Sequence, residues 1–201
     1  MRIGLLGGTF NPPHIAHLVC AQEAFAQLEL DRVLLVPVYQ PPHKQVEAEP
    51  GVEHRVELVR RAVAGDPRLA VSRIEADRPE RSYTVDTLRR LHESNPEDEL
   101  TFIVGGDMAH ALPTWHRPEA VLALARLGVA EREGVRRADI GERLSGLAGA
   151  DRIAFFDMPR LDISSSMIRR RVAAGRPIRY LVPGPVADYI SEAGLYTGRA
   201  A

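Results

Sequence analysis

The 201-residue sequence has a single cysteine, a single tryptophan, no long apolar run and no excess of charge of either sign. One thiol cannot close an intrachain disulfide, which excludes a disulfide-stapled scaffold and fits a reducing cytoplasm. No stretch approaches the about 18 consecutive apolar residues of a membrane-crossing helix. The apolar run at the start is too short for the core of a secretory signal and stops at glycines. These absences predict a soluble cytoplasmic protein. Lys and Arg number 26 against 27 Asp and Glu, a formal net charge of −1, so electrostatics give no argument for nucleic acid. What is present is an ordinary 45% apolar fraction, enough to bury the core of one domain, or of one domain with a small appendage. Cys20 falls inside a helical pattern, where it reads as a small buried hydrophobe rather than a nucleophile.

The chain is organised around Gly7 to His17, reading G-G-T-F-N-P-P-H-I-A-H. It follows the apolar run Ile3-Gly4-Leu5-Leu6 and precedes an amphipathic pattern, so the spacing predicts a strand, a tight turn and a helix. Gly7 and Gly8 can take positive φ and let an anion approach their N–H groups. Asn11 suits a helix N-cap and Pro12 the first helical position. His14 and His17 then share one helical face near the positive end of the helix dipole, an arrangement suited to phosphate. The competing readings are an ordinary α/β turn, or a metal site begun by the two histidines. A zinc site needs a third ligand and a second shell, for which His110 and His116 are the candidates, though their spacing does not resemble a ligand set.

Along the rest of the chain, Val33 to Val36 reads as a parallel strand buried on both faces, completing a βαβ unit. A proline-rich loop runs from Val38 to Gly51. The pattern then predicts a helix over Arg55 to Val63, a strand over Leu69 to Ile74 and a helix opening at Ser82 to Thr87 and closed by Asn95-Pro96. A strand over Leu100 to Val104 runs into a second glycine turn, Gly105-Gly106-Asp107. Two such turns suggest a crevice at a topological switch point. A short helix over Pro118 to Leu124 and a strand over Leu127 to Ala130 follow. The segment from Glu131 to Gly149, with Arg132, Arg136, Arg137 and Arg143, reads as an exposed loop with a weak helix. A last strand covers Ile153 to Phe156, a serine-capped helix begins near Asp162 and a C-terminal helix starts at Pro183. The tail after Gly194 is expected to be loosely held. The fold class expected is α/β, a Rossmann-like doubly wound and mainly parallel sheet.

The opening stretch resembles the nucleotidylyltransferase superfamily, in which a first-strand G-G-x-F turn precedes an H-x-G-H or T-x-G-H motif. His14-Ile15-Ala16-His17 occupies the second part, with Ala16 standing where the motif has glycine and narrowing the approach of a nucleotide. Four further segments extend the resemblance: Pro41-Pro42-His43-Lys44, Ser82-Tyr83-Thr84 with Asp86-Thr87, Gly105-Gly106-Asp107 with Thr114-Trp115, and Ile163-Ser164-Ser165-Ser166-Met167-Ile168-Arg169. In this order and spacing they are similar to the bacterial nicotinate-nucleotide adenylyltransferases.

The resemblance implies a single nucleotidylyltransferase domain over 1–201, with a C-terminal helical part (about 160–195) completing the ATP site. It implies adenylyl transfer from ATP to nicotinate mononucleotide, giving deamido-NAD and pyrophosphate in NAD biosynthesis. The 5′-phosphate is already a nucleophile at neutral pH, so neither a general base nor a covalent intermediate is required, and positioning and charge stabilisation carry the catalysis. The implied catalytic residues are His14, His17 and Arg169. ATP falls to Gly7, Gly8, Thr9, Phe10, Gly105, Asp107, Ile163, Ser164, Ser165 and Ser166. The mononucleotide falls to Lys44, Tyr83, Thr84 and Trp115. Mg²⁺ is expected on the ATP phosphates, with no protein cage.

Several of these residues have a plain alternative. Arg169 fits a capped surface helix with Arg170 and Arg171, Trp115 fits a core position, Asp107 a helix N-cap and Lys44 a solvated loop. Nicotinamide mononucleotide or phosphopantetheine as acceptor, and a nucleotide-binding regulator without catalysis, remain alternatives. A dinucleotide-binding dehydrogenase is poorly supported, because the turn lacks G-x-G-x-x-G. The expected partners are small molecules, with no nucleic acid or membrane; assembly of copies of this chain stays open.

Overall fold

Continuous apolar runs belong to strands covered on both faces, and four of the six strands carry one. The computed structural model describes residues 1–40, 48–131 and 137–198. The strands are β1 (Arg2–Gly8), β2 (Arg32–Pro37), β3 (Leu69–Val71), β4 (Glu99–Gly105), β5 (Arg126–Glu131) and β6 (Ile153–Asp157). They form one sheet in the order β3-β2-β1-β4-β5-β6, and every pairing is parallel. The helices are α1 (Ile15–Gln27), α2 (Val52–Val63), α3 (Thr84–Ser94), α4 (Gly106–His110), α5 (Pro118–Leu124), α6 (Arg137–Leu144), α7 (Ser165–Ala173) and α8 (Gly184–Glu192), with 3₁₀ turns at Leu112–Thr114 and Ala150–Arg152. This is the doubly wound α/β sheet expected. No helix among the described residues is long and apolar enough to cross a membrane.

Successive strand side chains point to opposite faces, which divides the core in two. Ile3 and Leu5 of β1 with Leu100, Phe102 and Val104 of β4 face α3 and α5. Leu6 and Ile103 face the other way, toward Phe10 and the small residues Ala16, Cys20, Ala21 and Ala24 of α1. A third apolar cluster joins Leu58 of α2 to Ile168 of α7, Val186 and Ile190 of α8, and Leu195.

Three expectations need correction. Helix α1 begins at Ile15, not behind an Asn11 cap. Both Asn11 and Pro12 precede a proline and are biased away from helical φ/ψ, so His14, extended at φ −143° and ψ 171°, becomes the N-cap. The tail is held: Leu195 is buried, and the Tyr196 hydroxyl donates to Asn11 Oδ1 at 2.6 Å. β3 ends at Val71, three residues short of Ile74. In the segment after Glu131, α6 is anchored by Ile140 and Leu144, both buried one turn apart. Arg132 and Arg136 lie outside the described residues.

Candidate active site

Strands β1 and β4 lie side by side where the strand order reverses, with Leu6 opposite Ile103, so Gly8 and Gly105 end their strands at one crevice. Neither Gly7 nor Gly8 has positive φ; the left-handed residue of the turn is Phe10, at φ +50°. The glycines instead continue the strand, and Gly8 C=O accepts from Val38 N–H at 3.0 Å. Gly8 is needed for space, because an added Cβ would meet three carbons of the Phe10 ring at 3.0–3.2 Å. Gly105, with φ −77°, caps α4, and Asp107 is exposed in that helix's first turn rather than capping it.

Beyond Phe10 the two histidines come together. The His14 and His17 rings stack with centroids 3.8 Å apart and 25° between planes. His14 N–H donates to His17 Nδ1 at 3.2 Å, which leaves Nε2 as the proton-bearing nitrogen of His17. Ile15 N–H, an end group of α1, donates to Leu181 C=O at 3.1 Å. Ala16 is 2% exposed and belongs to the core cluster that holds Leu6 and Phe10.

Helix α7 meets the same turn end-on. Ser164 is its N-cap, accepting from Met167 N–H at 3.2 Å. Ser165 Oγ donates to Pro12 C=O at 2.8 Å, and Arg169 donates to Asn11 C=O at 2.9 Å and to Ser166 Oγ at 3.3 Å. Arg169 is therefore half-buried against the turn and not part of an outward Arg face, and Ile163 packs against the core. On the opposite sheet face, Tyr83 is the extended N-cap of α3 and Thr84 its first residue. The Tyr83 ring lies 4.8 Å from the His116 ring, and half-buried Trp115 meets Phe102 edge-on at 5.9 Å. Lys44, with Pro41, Pro42 and His43, lies outside the described residues.

Comparison with known proteins bears on this geometry directly. A family model described as cytidylyltransferase-like matches residues 5–171. The chain is 42% identical to the probable nicotinate-nucleotide adenylyltransferase of Thermomicrobium roseum, over 97% of this chain and 91% of that protein. It is 44% identical to that of Exiguobacterium sibiricum, over 98% and 99%. The chain belongs to the nicotinate-nucleotide adenylyltransferase family. Two structures of the Plasmodium falciparum nicotinic acid mononucleotide adenylyltransferase, complexed with APC and with NaAD, superpose with TM-scores of 0.78 and 0.79. Each covers 98% of both chains at 17% identity, a likeness of fold.

Two buried polar groups, Arg55 and Glu75, belong to none of the motifs that the sequence displays. Arg55 of α2 is 1% exposed and donates to Thr9 C=O at 3.1 Å, Val38 C=O at 2.7 Å, Tyr39 C=O at 3.0 Å and Glu49 Oε1 at 2.7 Å. Its signal was available: it sits four residues before Val59 on the buried stripe of α2, where a charge needs partners. Glu75 is buried beneath the start of α3 and accepts from Thr87 Oγ1 at 2.7 Å. Burial pushes its carboxyl above the usual range, partly opposed by the hydroxyls of Thr87 and Ser82. Among the described residues no group of three or more His, Cys, Asp or Glu side chains is arranged to hold a metal ion.

Proposed function

We propose that this chain transfers the adenylyl group of ATP to nicotinate mononucleotide, giving deamido-NAD and pyrophosphate. The observation that carries the reading is the joining of α7 to the glycine turn through Ser165 and Arg169, beside the stacked His14 and His17. That arrangement concentrates phosphate donors at a switch-point crevice. In the reaction a 5′-phosphate oxygen of the mononucleotide forms a bond to the α-phosphorus of ATP, and the bond from that phosphorus to the bridging oxygen breaks in line. Pyrophosphate leaves with the electron pair.

His17 donates through Nε2–H to the α-phosphate, where charge grows in the transition state, and His14 faces the neighbouring phosphates. Arg169, Ser165 and Ser166 hold the departing end, with Ile163 and Ser164 shaping the approach to it. Gly7, Gly8, Thr9 and Phe10 line the nucleotide, and Gly105 and Asp107 take the ribose side. The C-terminal helical part (about 160–195) thus completes the ATP site of one domain. Trp115 offers a face to the pyridine ring, and the Tyr83 and Thr84 end of α3 offers N–H groups to the nicotinate carboxylate. Lys44 meets the phosphate of the mononucleotide on this reading. The side chains gathered on the phosphate side are imidazoles, one guanidinium and hydroxyls, which fits Mg²⁺ held by the triphosphate and water rather than by protein. Bound so, the ion would neutralise the leaving phosphates.

The partners on this reading are small molecules in the cytoplasm, and the reaction needs neither nucleic acid nor a membrane. The test is pyrophosphate release from ATP and Mg²⁺ with nicotinate mononucleotide, nicotinamide mononucleotide or phosphopantetheine as acceptor. Strong preference for the first supports the reading. Preference for another overturns the substrate, and no release with any of them overturns the reaction.

A further inference from the structure

Phe10 is a bulky residue in the left-handed region, with its ring 1% exposed and edge-on to His17 at 5.0 Å. Side chains resist that backbone conformation, and it persists where the surroundings over-determine it. Both neighbours of Phe10 are pinned by side chains from distant parts of the chain. On one side the Arg55 guanidinium reaches Thr9 C=O at 3.1 Å while its other donors hold Val38, Tyr39 and Glu49. On the other, Tyr196, 185 residues away, donates to Asn11 Oδ1 at 2.6 Å, and Asn11 Nδ2 donates to Ala48 C=O at 3.4 Å. The carbonyl of that same Asn11 receives Arg169 at 2.9 Å.

We propose that Arg55 and Tyr196 are positioning residues for adenylyl transfer, clamping Thr9 and Asn11 so that Phe10 stays left-handed and His17 and Arg169 keep their register on the phosphates. The assignment rests on the reading in the preceding section. Neither residue touches substrate. Arg55 directs its donors to carbonyls of the turns after β1 and β2, so what it orders is loop backbone at the crevice. Tyr196 needs its ring for packing against the third apolar cluster but its hydroxyl only for Asn11. Burial pushes that hydroxyl upward, so it remains a donor throughout the working pH range.

The test compares the full-length chain with Tyr196→Phe and Arg55→Lys. Tyr196→Phe keeps the ring and removes one donor; Arg55→Lys keeps the charge and loses the fork. Amide hydrogen exchange is read without substrate, and kcat and KM are read at 25 °C once calorimetry has shown each of the three proteins to be folded at that temperature. For Tyr196→Phe, exchange over residues 9–17 should quicken several-fold while β4 and β5 are unchanged. Its kcat should fall about tenfold with KM for the mononucleotide within about twofold, the loss expected for one well-made hydrogen bond. Arg55→Lys should do the same more strongly, and if it does not fold, Tyr196→Phe decides alone. Unchanged exchange in Tyr196→Phe overturns the clamp, and quicker exchange with intact kcat overturns its role in positioning. Because exchange needs no reaction, a wild-type chain that released no pyrophosphate would count against the adenylyl-transfer reading, while the clamp is still judged by exchange.

Discussion

Replacing Gly8 with alanine puts one methyl group where the glycine turn has least room. The new Cβ would lie 3.0 Å from Cζ, 3.1 Å from Cε1 and 3.2 Å from Cε2 of Phe10, tighter than ordinary contact, so the ring must give by a few tenths of an ångström. It has little freedom to do so, being 1% exposed and carried on a left-handed backbone. Overpacking of this kind costs about 1–3 kcal/mol, against which the stiffer unfolded chain returns about 0.4–1 kcal/mol. The net loss of about 1–2 kcal/mol should lower Tm by roughly 2–8 °C for a chain of this length. The ring is edge-on to His17, so the displacement also reaches the imidazole proposed to contact the α-phosphate, and kcat should fall several-fold to about tenfold. Gly7→Ala is the control. Its Cβ would meet Phe102 at 3.5 Å, an ordinary contact, so the stiffer unfolded chain should leave Tm unchanged or raise it by up to about 4 °C, while KM for ATP rises at this exposed edge of the crevice. Scanning calorimetry and pyrophosphate release on both variants measure the two effects. Wild-type Tm and kcat in Gly8→Ala would refute the argument that this glycine exists to admit the Phe10 ring.

His17→Ala should reduce kcat about 10²–10³-fold with little change in Tm, the ring being half-buried; near-normal turnover would remove His17 from its role. Trp115→Ala should raise KM for the mononucleotide about five- to tenfold, and Trp115→Phe should restore most of it; an unchanged KM in the alanine variant would send the ring back to a packing role against Phe102. Glu75 gives a pH dependence. Its folded-state pKa lies above the ordinary 4.5, so the native state binds more protons than the unfolded one just above that value. Stability is therefore fully present below about pH 4.5 and is lost as pH rises through the folded pKa. Glu75→Gln keeps an acceptor for Thr87 and removes the titration, so its Tm advantage over wild type should be larger at pH 8 than at pH 4. Equal differences at the two pH values would contradict the burial argument.

The parts of this molecule that follow from the chain's own local period were legible in the sequence. β2 reads as a doubly covered strand because Val33 to Val36 is apolar throughout, and α5 starts at Pro118 because a proline loses nothing at a first helical position. Ser164 caps α7 because its hydroxyl answers an amide three residues on. The glycine turn is legible in the sequence, but its geometry is not. Gly7 and Gly8 have the composition of a left-handed bend, yet both remain in β1, and the bend falls on Phe10. Asn11 likewise has the chemistry of an N-cap but spends its side chain on Tyr196. The cap is moved by the local prolines, since Pro12 and Pro13 bias the residues before them away from helix, whereas the turn itself is tied to residues far along the chain: 46 residues for Thr9 to Arg55, 185 for Asn11 to Tyr196. Such partners leave no periodic trace, with one exception. Arg55 stands on an apolar stripe with Val56, Val59 and Val63 beside it, and an arginine there must either disrupt the core or find acceptors. The acceptors lie in the proline-punctuated loops that end β1 and β2, where carbonyls are not taken up by a strand ladder. The period of α2 therefore shows that Arg55 needs buried acceptors, and only the fold shows that Thr9 of the glycine turn is one of them.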